Sequence, residues 1–248
     1  MTLCIIVGAG PGLATALARR FGAGGYRVGL VARRAAALEA QVAELRGADI
    51  EADYRVADAG DARALRAAIS ELEARLGPCS VLLYNAAVLR SQGPLDLDVT
   101  TLRAELEVNL VGALVAAQAV APGMVARGRG ALLFTGGGLS LEPYPEWTSL
   151  ALGKAALRSL SLSLYKELAP QGLHVAVIAV CGIIAPGGPF DPDAIAETYW
   201  RLATAPDGIE DRDVVIQPAG TDPFYNDPQR RHRATTLPPS RGRADVGR

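Results

Sequence analysis

The sequence predicts an α/β protein with a doubly wound Rossmann fold and a parallel sheet of about seven strands. Short apolar runs alternate with segments of helical period along the chain, and such continuous runs are typical of parallel strands buried on both faces. A glycine-rich turn joins the first apolar run to the first helical segment, as a Rossmann unit requires.

Each strand is predicted from a run rich in β-branched and other apolar residues. The seven runs are LCIIVG (3–8), YRVGLVA (26–32), IEADYRV (50–56), SVLLYNA (80–86), GALLFTG (130–136), HVAVIAV (174–180) and DVVIQP (213–218). Their separation by helices implies right-handed parallel crossovers. We therefore expect residues 1–220 to form one domain.

The helices are predicted from apolar stripes at three- and four-residue spacing. A clear example is the stripe of Leu157, Leu160, Leu164 and Leu168. Pro170 and Gly172 are expected to end that helix.

Beyond residue 220 the composition changes. Residues 221–248 are poor in apolar residues, rich in Pro and Arg, and have neither helical nor strand period, which predicts an extended or disordered tail. Its basic cluster, residues 230–233 (Arg230, Arg231, His232 and Arg233), is either solvated or contacts a polyanion or a neighbouring subunit.

Composition limits the classes of function. Of the 248 residues 50% are hydrophobic, and 25 basic and 26 acidic residues give a formal net charge of −1, so there is no electrostatic case for a nucleic-acid partner. The sequence has no charge-free apolar stretch of the ~18 residues that a membrane span needs. The first apolar run begins close to Met1 without a signal segment, and we expect a cytoplasmic protein.

The cysteines predict neither a disulfide nor a metal site. Cys4, Cys79 and Cys181 are odd in number, far apart and without neighbouring histidines, which favours buried, reduced thiols. No metal is expected.

The turn GAGPGLA, residues 8–14, indicates a phosphate-binding site. Gly8, Gly10 and Gly12 precede an amphipathic helix, and glycines there let backbone amides approach a pyrophosphate on the partially positive helix end. A glycine-rich structural turn without a ligand is the alternative.

The end of the second strand favours NADPH over NADH. Sites for NAD usually carry an acid there for the ribose hydroxyls, whereas this chain has Ala32 followed by Arg33 and Arg34. An arginine pair binds a 2′-phosphate by charge-assisted hydrogen bonds; solvated surface arginines are the alternative.

In their order and spacing, these motifs resemble the short-chain dehydrogenase/reductase family over residues 1–218. The motifs are GAGPGLA (8–14), VADAGD (56–61), YNAA (84–87), VNLVG (108–112), Lys154 opening its helix, and VCGII (180–184). The resemblance implies an NADPH-dependent oxidoreductase with a small-molecule substrate. It also implies a homo-oligomer, a dimer or tetramer built on the helices around Asn109 and Lys154.

The resemblance also implies the site residues. Those expected to bind the cofactor are Gly8, Gly10, Gly12, Leu13, Arg33, Arg34, Asp58, Ala59, Asn85, Ala86, Lys154 and Ile183. Asp58 would contact adenine, Lys154 the nicotinamide ribose, and Ile183 with Ile184 the nicotinamide. Lys154 and Asn109 would be the catalytic residues, Asn109 holding a helix kink and a water beside the lysine.

This chain lacks two side chains that the family uses, one that donates a proton and one that stabilises the oxyanion. A Tyr four residues before the Lys and a Ser thirteen residues before that Tyr are replaced by Leu150 and Gly137. Hydride transfer to a carbonyl creates an alkoxide, for which general acid catalysis typically contributes about 10²–10⁴-fold. An iminium carbon is already cationic and needs no such acid.

We therefore predict a reductase of imine, iminium or hemiaminal carbons. Family members without the Tyr, which are similar to this chain around FTGGG and SLALGK, are associated with that chemistry, including on alkaloid-like antibiotics. The resemblance thus implies detoxification or tailoring of an alkaloid-like natural product.

Two alternatives stay open. One is a carbonyl reductase with a relocated acid, and the other is a non-catalytic NADP(H)-binding protein. The candidates for a relocated acid are Trp147, Tyr144, Ser140, Ser149 and Tyr199.

The segment after VCGII resembles the family's substrate cover. Residues 186–189 form a hinge, and Asp191 with Pro192 begins a short helix. Its aromatic pair, Tyr199 and Trp200, would either cover a flat or cationic ligand or anchor the helix to the core or to another subunit.

Overall fold

A single seven-stranded parallel sheet runs through the protein, as the sequence predicts. The computed structural model describes residues 2–205, 211–218 and 221. The strands are β1 (Leu3–Val7), β2 (Arg27–Ala32), β3 (Ala52–Val56), β4 (Cys79–Tyr84), β5 (Gly130–Thr135), β6 (Leu173–Val180) and β7 (Asp213–Ile216). Their order is β3-β2-β1-β4-β5-β6-β7, which is the doubly wound arrangement.

Helices connect successive strands. They are α1 (Leu13–Ala23), α2 (Ala35–Gly47), α3 (Ala62–Leu76), α4 (Val99–Leu106), α5 (Gly112–Ala126), α6 (Thr148–Leu168) and α7 (Pro192–Thr204). A π-helical turn, Glu107–Val111, joins α4 to α5, and short 3₁₀ turns lie at Gly138–Ser140 and Ala169–Gln171.

The alternation of side chains along β1 divides the core into two layers. Leu3, Ile5 and Val7 belong to the apolar cluster under α3, α5 and α6, whereas Cys4 and Ile6 belong to the cluster under α1, α2 and α7. Successive residues of a strand point to opposite faces, so a strand buried on both faces is apolar throughout. All three cysteines are buried and form no disulfide among the described residues, as predicted.

The predicted end of α6 and the predicted start of α7 are confirmed. Helix α6 ends at Leu168, and Gly172 takes the left-handed conformation after it, with φ 83°. Asp191 caps α7 by accepting hydrogen bonds from the backbone N–H groups of Asp193 and Ala194. Helix α7 then packs against α1.

The helical run Val99–Ala126 is long and apolar enough to cross a membrane by length and composition, so the prediction that the chain has no such stretch is wrong. Of its most apolar stretch, 44% is buried. Its α5 part packs on β4, β5 and α3, as a core helix does. The predicted tail, apart from Thr221, lies outside the described residues, including the basic cluster of residues 230–233.

The strand order reverses direction between β1 and β4. At such a reversal the loops that leave the carboxyl ends of the two strands form a crevice in which doubly wound proteins bind ligands, and we expect the crevice of this protein there. The glycine-rich turn and the segment beginning at Asn85 both leave this edge.

Candidate active site

Gly8 is required by the close approach of two loops. Its φ is 88°, and a Cβ there would lie 2.3 Å from the backbone N of Ala86. The Asn85 side-chain Nδ2 donates to the carbonyl of Gly8 at 3.2 Å, and the Asn85 backbone N donates to Val7 O at 2.8 Å. The turn after β1 and the loop after β4 are thus joined directly.

The next two glycines leave open space in front of α1. A Cβ on Gly10 or Gly12 would meet no atom within 4 Å, and Gly12, with φ 85°, stands immediately before the helix. Gln41 Nε2 and Thr15 Oγ1 both donate to Gly10 O, at 3.1 and 3.3 Å, which holds the turn in place. Open space before a helix N-terminus fits a pyrophosphate.

Leu13 and Ala59, two of the residues predicted to bind the cofactor, are buried. The Leu13 side chain is buried in the core, and its residue is the first of α1. The carbonyl of Ala59 lies against Gly112, where a Cβ would be 2.2 Å from that oxygen. Gly112 therefore lets α5 approach the loop after β3.

The structure brings Arg33 together with Asp58. Nη1 of Arg33 and Oδ2 of Asp58 are 4.0 Å apart, with both side chains largely exposed. Asp58 Oδ1 also accepts a hydrogen bond from Gly60 N at 2.9 Å. Arg34 is exposed immediately before α2, so both arginines are exposed just beyond the carboxyl end of β2.

Lys154 is a buried amine on α6. Its residue is 7% exposed, and Nζ donates to the backbone carbonyl of Thr135, at the end of β5, at 2.6 Å. Burial lowers the pKa of Lys154 to about 8, because desolvation disfavours the charged form. An ammonium has three N–H donors, so two remain for a ligand.

Asn109 lies in the π-helical turn between α4 and α5. Its Oδ1 accepts a hydrogen bond from Val88 N at 2.8 Å, while Nδ2 is buried without a hydrogen-bond partner among the described residues. The side chain packs on Gly153 of α6, where a Cβ would lie 2.6 Å from Asn109 Cβ. The π-helical turn that carries Asn109 therefore packs against the part of α6 that carries Lys154.

The two positions that depart from the family have different surroundings. Leu150 is 7% exposed on the first turn of α6. Gly137 has extended backbone, with φ −178°, and a Cβ there would have Val180 O at 3.8 Å and Lys154 Cγ at 3.9 Å as its nearest neighbours. A side chain is thus missing at residue 137 although there is room for one.

The hydroxyl candidates near these positions are differently engaged. Ser140 Oγ donates to Gly137 O at 2.8 Å. Ser149 is 2% exposed, and its Oγ has no hydrogen-bond partner in the described part of the chain. Tyr144 is half-buried in the loop before α6. Trp147 stands immediately before the first residue of α6.

Tyr199 and Trp200 do not cover the crevice, so that alternative is wrong. Tyr199 is fully buried, its Oη donates to Thr135 Oγ1 at 2.8 Å, and burial raises its pKa. Trp200 packs edge-on against Phe21 at 5.4 Å with the Arg20 guanidinium 4.0 Å from its ring. The side chains of both residues fasten α7 to the core because α7 docks beside α1.

The loop between β6 and α7 is folded on itself. A Cβ on Gly182 would lie 2.0 Å from the ring of Phe190, and Gly187 N donates to Asp191 Oδ2 at 2.6 Å. Ile183 is left 86% exposed, beside half-buried Ile184. The crevice is therefore open on this side.

Thr135 is a site residue that the sequence pattern does not single out. Its hydroxyl accepts from Tyr199 and donates to Asn85 Oδ1 at 3.0 Å, and its carbonyl accepts from Lys154. Thr135 thus joins α7, the loop after β4 and α6. A hydroxyl residue at the end of an apolar strand is the sequence signal that could have identified Thr135. Gln41, which holds the glycine-rich turn through Gly10 O, has no comparable signal in the sequence.

The sequence and the fold have counterparts among known proteins. A family model described as short chain dehydrogenase matches residues 2–188. Galactitol 2-dehydrogenase (L-tagatose-forming) of Cereibacter sphaeroides is 36% identical over 176 residues, 70% of this chain and 68% of the relative. Another relative, from Xanthobacter autotrophicus, is described as inactive 2-(S)-hydroxypropyl-CoM dehydrogenase 2. It is 30% identical, and the match spans 62% of this chain and 66% of the relative.

A solved structure shows the same architecture. It is a metagenomic short-chain oxidoreductase in complex with NADP, 29% identical, with a TM-score of 0.80 over 88% of this chain and 97% of that one.

Proposed function

Because the chain belongs to the short-chain dehydrogenase family, we propose that it is a non-classical NADPH-dependent reductase of imine, iminium or hemiaminal carbons. The main support for this proposal is that buried Leu150 and Gly137 occupy the positions of the acid and of the oxyanion donor. Lys154 and Asn109 are present beside them. The cofactor-holding half of the site is retained and the proton-donating half is apolar.

An acceptor that is already cationic explains this combination. When hydride adds to an iminium carbon, the C–N π pair becomes the nitrogen lone pair, and the product is a neutral amine. No charge develops on an oxygen, so neither an acid nor an oxyanion donor is required. A neutral imine takes up a proton from water, and a hemiaminal releases hydroxide to water, to give the same iminium before the hydride is transferred. A ketone would leave an alkoxide beside Leu150.

The cofactor is assigned as NADPH, which supplies the hydride when bound. Backbone N–H groups at the start of α1 face the open space that suits the pyrophosphate. Arg33 and Arg34 would bind the 2′-phosphate by charge-assisted hydrogen bonds. Lys154 would donate to the ribose hydroxyls. The solved relative with NADP supports this choice.

Carbonyl reduction is the second candidate. The hydroxyl of Ser140 lies next to the carbonyl of Gly137, and the galactitol dehydrogenase relative has an alcohol as its named substrate. A non-catalytic NADP(H)-binding role is the third candidate, and the relative described as inactive supports it.

Initial rates of NADPH oxidation separate the three candidates. The full chain is assayed with a preformed cyclic iminium ion and with a ketone of the same ring, alongside a fluorescence titration with NADPH. Turnover of the iminium with a much slower ketone supports the proposal. Turnover of the ketone alone rejects it, and tight NADPH binding with turnover of neither favours the third candidate.

The remaining features of the proposal come from the sequence. We propose that residues 1–220 act as a single catalytic domain followed by a tail at 221–248, that the protein is cytoplasmic, and that it forms a homo-oligomer. Its physiological substrate would be an alkaloid-like natural product. Size-exclusion chromatography with light scattering tests the oligomer.

A further inference from the structure

Arg90 lies in the loop after β4 and is paired with a buried carboxylate. It follows the segment with Asn85 and Ala86 that leaves β4. Its Nε donates to Oε1 of Glu105 on α4. The Glu105 side chain is 5% exposed, whereas that of Arg90 is 55% exposed. The pair thus has a buried anchor and an exposed guanidinium.

The backbone is also fixed on both sides of Arg90. Two residues before it, Val88 N donates to Asn109 Oδ1 at 2.8 Å. Two residues after it, Gln92 N donates to Glu146 O at 2.7 Å, and Gln92 forms a parallel bridge with Trp147. A segment that is already ordered loses less conformational entropy when it binds a ligand.

A buried acid is a costly way to fasten a loop. Exposed ion pairs do not carry the desolvation penalty of a buried carboxylate, yet Glu105 is buried and its Oε2 has no hydrogen-bond partner among the described residues. What the pair does achieve is a fixed orientation of Arg90. Among the described residues, Arg90 forms its side-chain hydrogen bond through Nε, to Glu105. The two Nη groups are then left to bind a ligand.

We infer that Arg90 is a substrate-recognition residue whose two Nη groups bind a carboxylate of the substrate. The planar guanidinium fork matches a carboxylate with two parallel hydrogen bonds. The inference rests on the proposed function, and it narrows the substrate class to imines, iminium ions or hemiaminals that carry a carboxylate. Leu89 and Leu95, 71% and 97% exposed on the same segment, offer apolar contact to the rest of such a molecule.

The test measures binding, so it does not depend on turnover. A cyclic imine with a carboxylate and the same imine with a carboxamide are titrated by calorimetry into the NADP⁺-loaded protein. We expect the carboxylate to bind about tenfold more tightly, as a charged hydrogen bond implies. Arg90→Gln should remove that preference and Arg90→Lys, which keeps the charge without the fork, should retain part of it.

Two more variants separate orientation from charge. Glu105→Gln should reduce the preference for the carboxylate while leaving the carboxamide unchanged. The matched control is Glu146→Gln. Glu146 is exposed and accepts from Gln92 N through its backbone carbonyl, so this variant should keep the preference. Thermal unfolding confirms that each variant is folded.

Three outcomes overturn the inference: equal weakening of both probes in Arg90→Gln, a preference that survives that change, or no binding of either probe to the wild type. The proposed function fails in a different experiment. If the carboxylate binds in an Arg90-dependent way but NADPH is not oxidised with the imine, substrate recognition stands and imine reduction does not.

Discussion

Restoring the two missing groups should redirect the protein toward carbonyl reduction. The double variant is Gly137→Ser with Leu150→Tyr. A Cβ at residue 137 would have 3.8 and 3.9 Å to its nearest neighbours, and the backbone there is extended with φ −178°, so serine fits without strain. Leu150 is 7% exposed, so the larger phenol should cost about 1–3 kcal/mol of unfolding free energy.

The expected gain follows from the charge that develops in the reaction. A phenol one helical turn before Lys154 would supply the acid, worth about 10²–10⁴-fold, and the serine would supply a donor to the oxyanion, worth about 10²–10³-fold. Groups that act as a unit are not additive. We therefore expect a rise of at least about 10²-fold in kcat/KM for the ketone, and no gain for the iminium.

The assay compares initial rates of NADPH oxidation with the ketone and the iminium. Gly137→Ala with Leu150→Phe is the matched control, since it adds similar bulk without either hydroxyl. Thermal unfolding gives the folded fraction of each variant. The reasoning is refuted if the control gains as much ketone activity as the double variant, or if iminium and ketone turnover rise together.

Three further predictions concern the cofactor site. A Cβ at Gly10 would touch nothing within 4 Å, so Gly10→Ala should change the unfolding free energy by less than about 0.5 kcal/mol. The same change should weaken NADPH binding in a fluorescence titration at least tenfold, roughly the contribution of one charged hydrogen bond. Unchanged affinity would contradict the pyrophosphate assignment. Replacing Arg33 and Arg34 by Ala should weaken NADPH about 10- to 100-fold and NADH far less, and an equal loss for both cofactors would contradict the 2′-phosphate role. In the cofactor-free protein, the pKa of Lys154 is lowered from 10.5 to about 8, so between these pH values the folded state has released a proton that the unfolded state still holds, and stability should rise with pH through this window. That rise, on the order of 3 kcal/mol in total, should be absent in Lys154→Met when urea unfolding of the two proteins is compared, and identical slopes would contradict it.

The fold was predictable because its signals are local. Each buried strand is apolar on both faces, and Gly8 and Gly12, both at positive φ, occupy turns that their neighbours in sequence already indicate. The first residues of α7 could be predicted from the capping residue Asp191, but the surface against which α7 packs could not. Tyr199 and Trp200 have the same helical spacing whether α7 covers the crevice or docks beside α1, and that choice depends on tertiary packing.

The site was predictable where a motif specifies a backbone shape and unpredictable where distant elements meet. Lys154 and Asn109 were assigned from the family pattern. The connection of Thr135 to Tyr199, Asn85 and Lys154 requires β5, α7, β4 and α6 to converge, and nothing local in GALLFTG specifies it. The pairing of Arg90 with Glu105 spans fifteen residues and likewise depends on how α4 packs.

Lys154 and Leu150 together constrain the acceptor. A buried amine without an acidic partner is costly to the fold, and a lysine that served only to activate a phenol would have no role beside Leu150. Its bond to Thr135 O uses one N–H and leaves two donors for ribose hydroxyls, so its retention argues for a bound cofactor. Leu150 argues that no alkoxide forms next to that cofactor. Both conditions are met when hydride goes to a carbon that is electron-poor before it arrives.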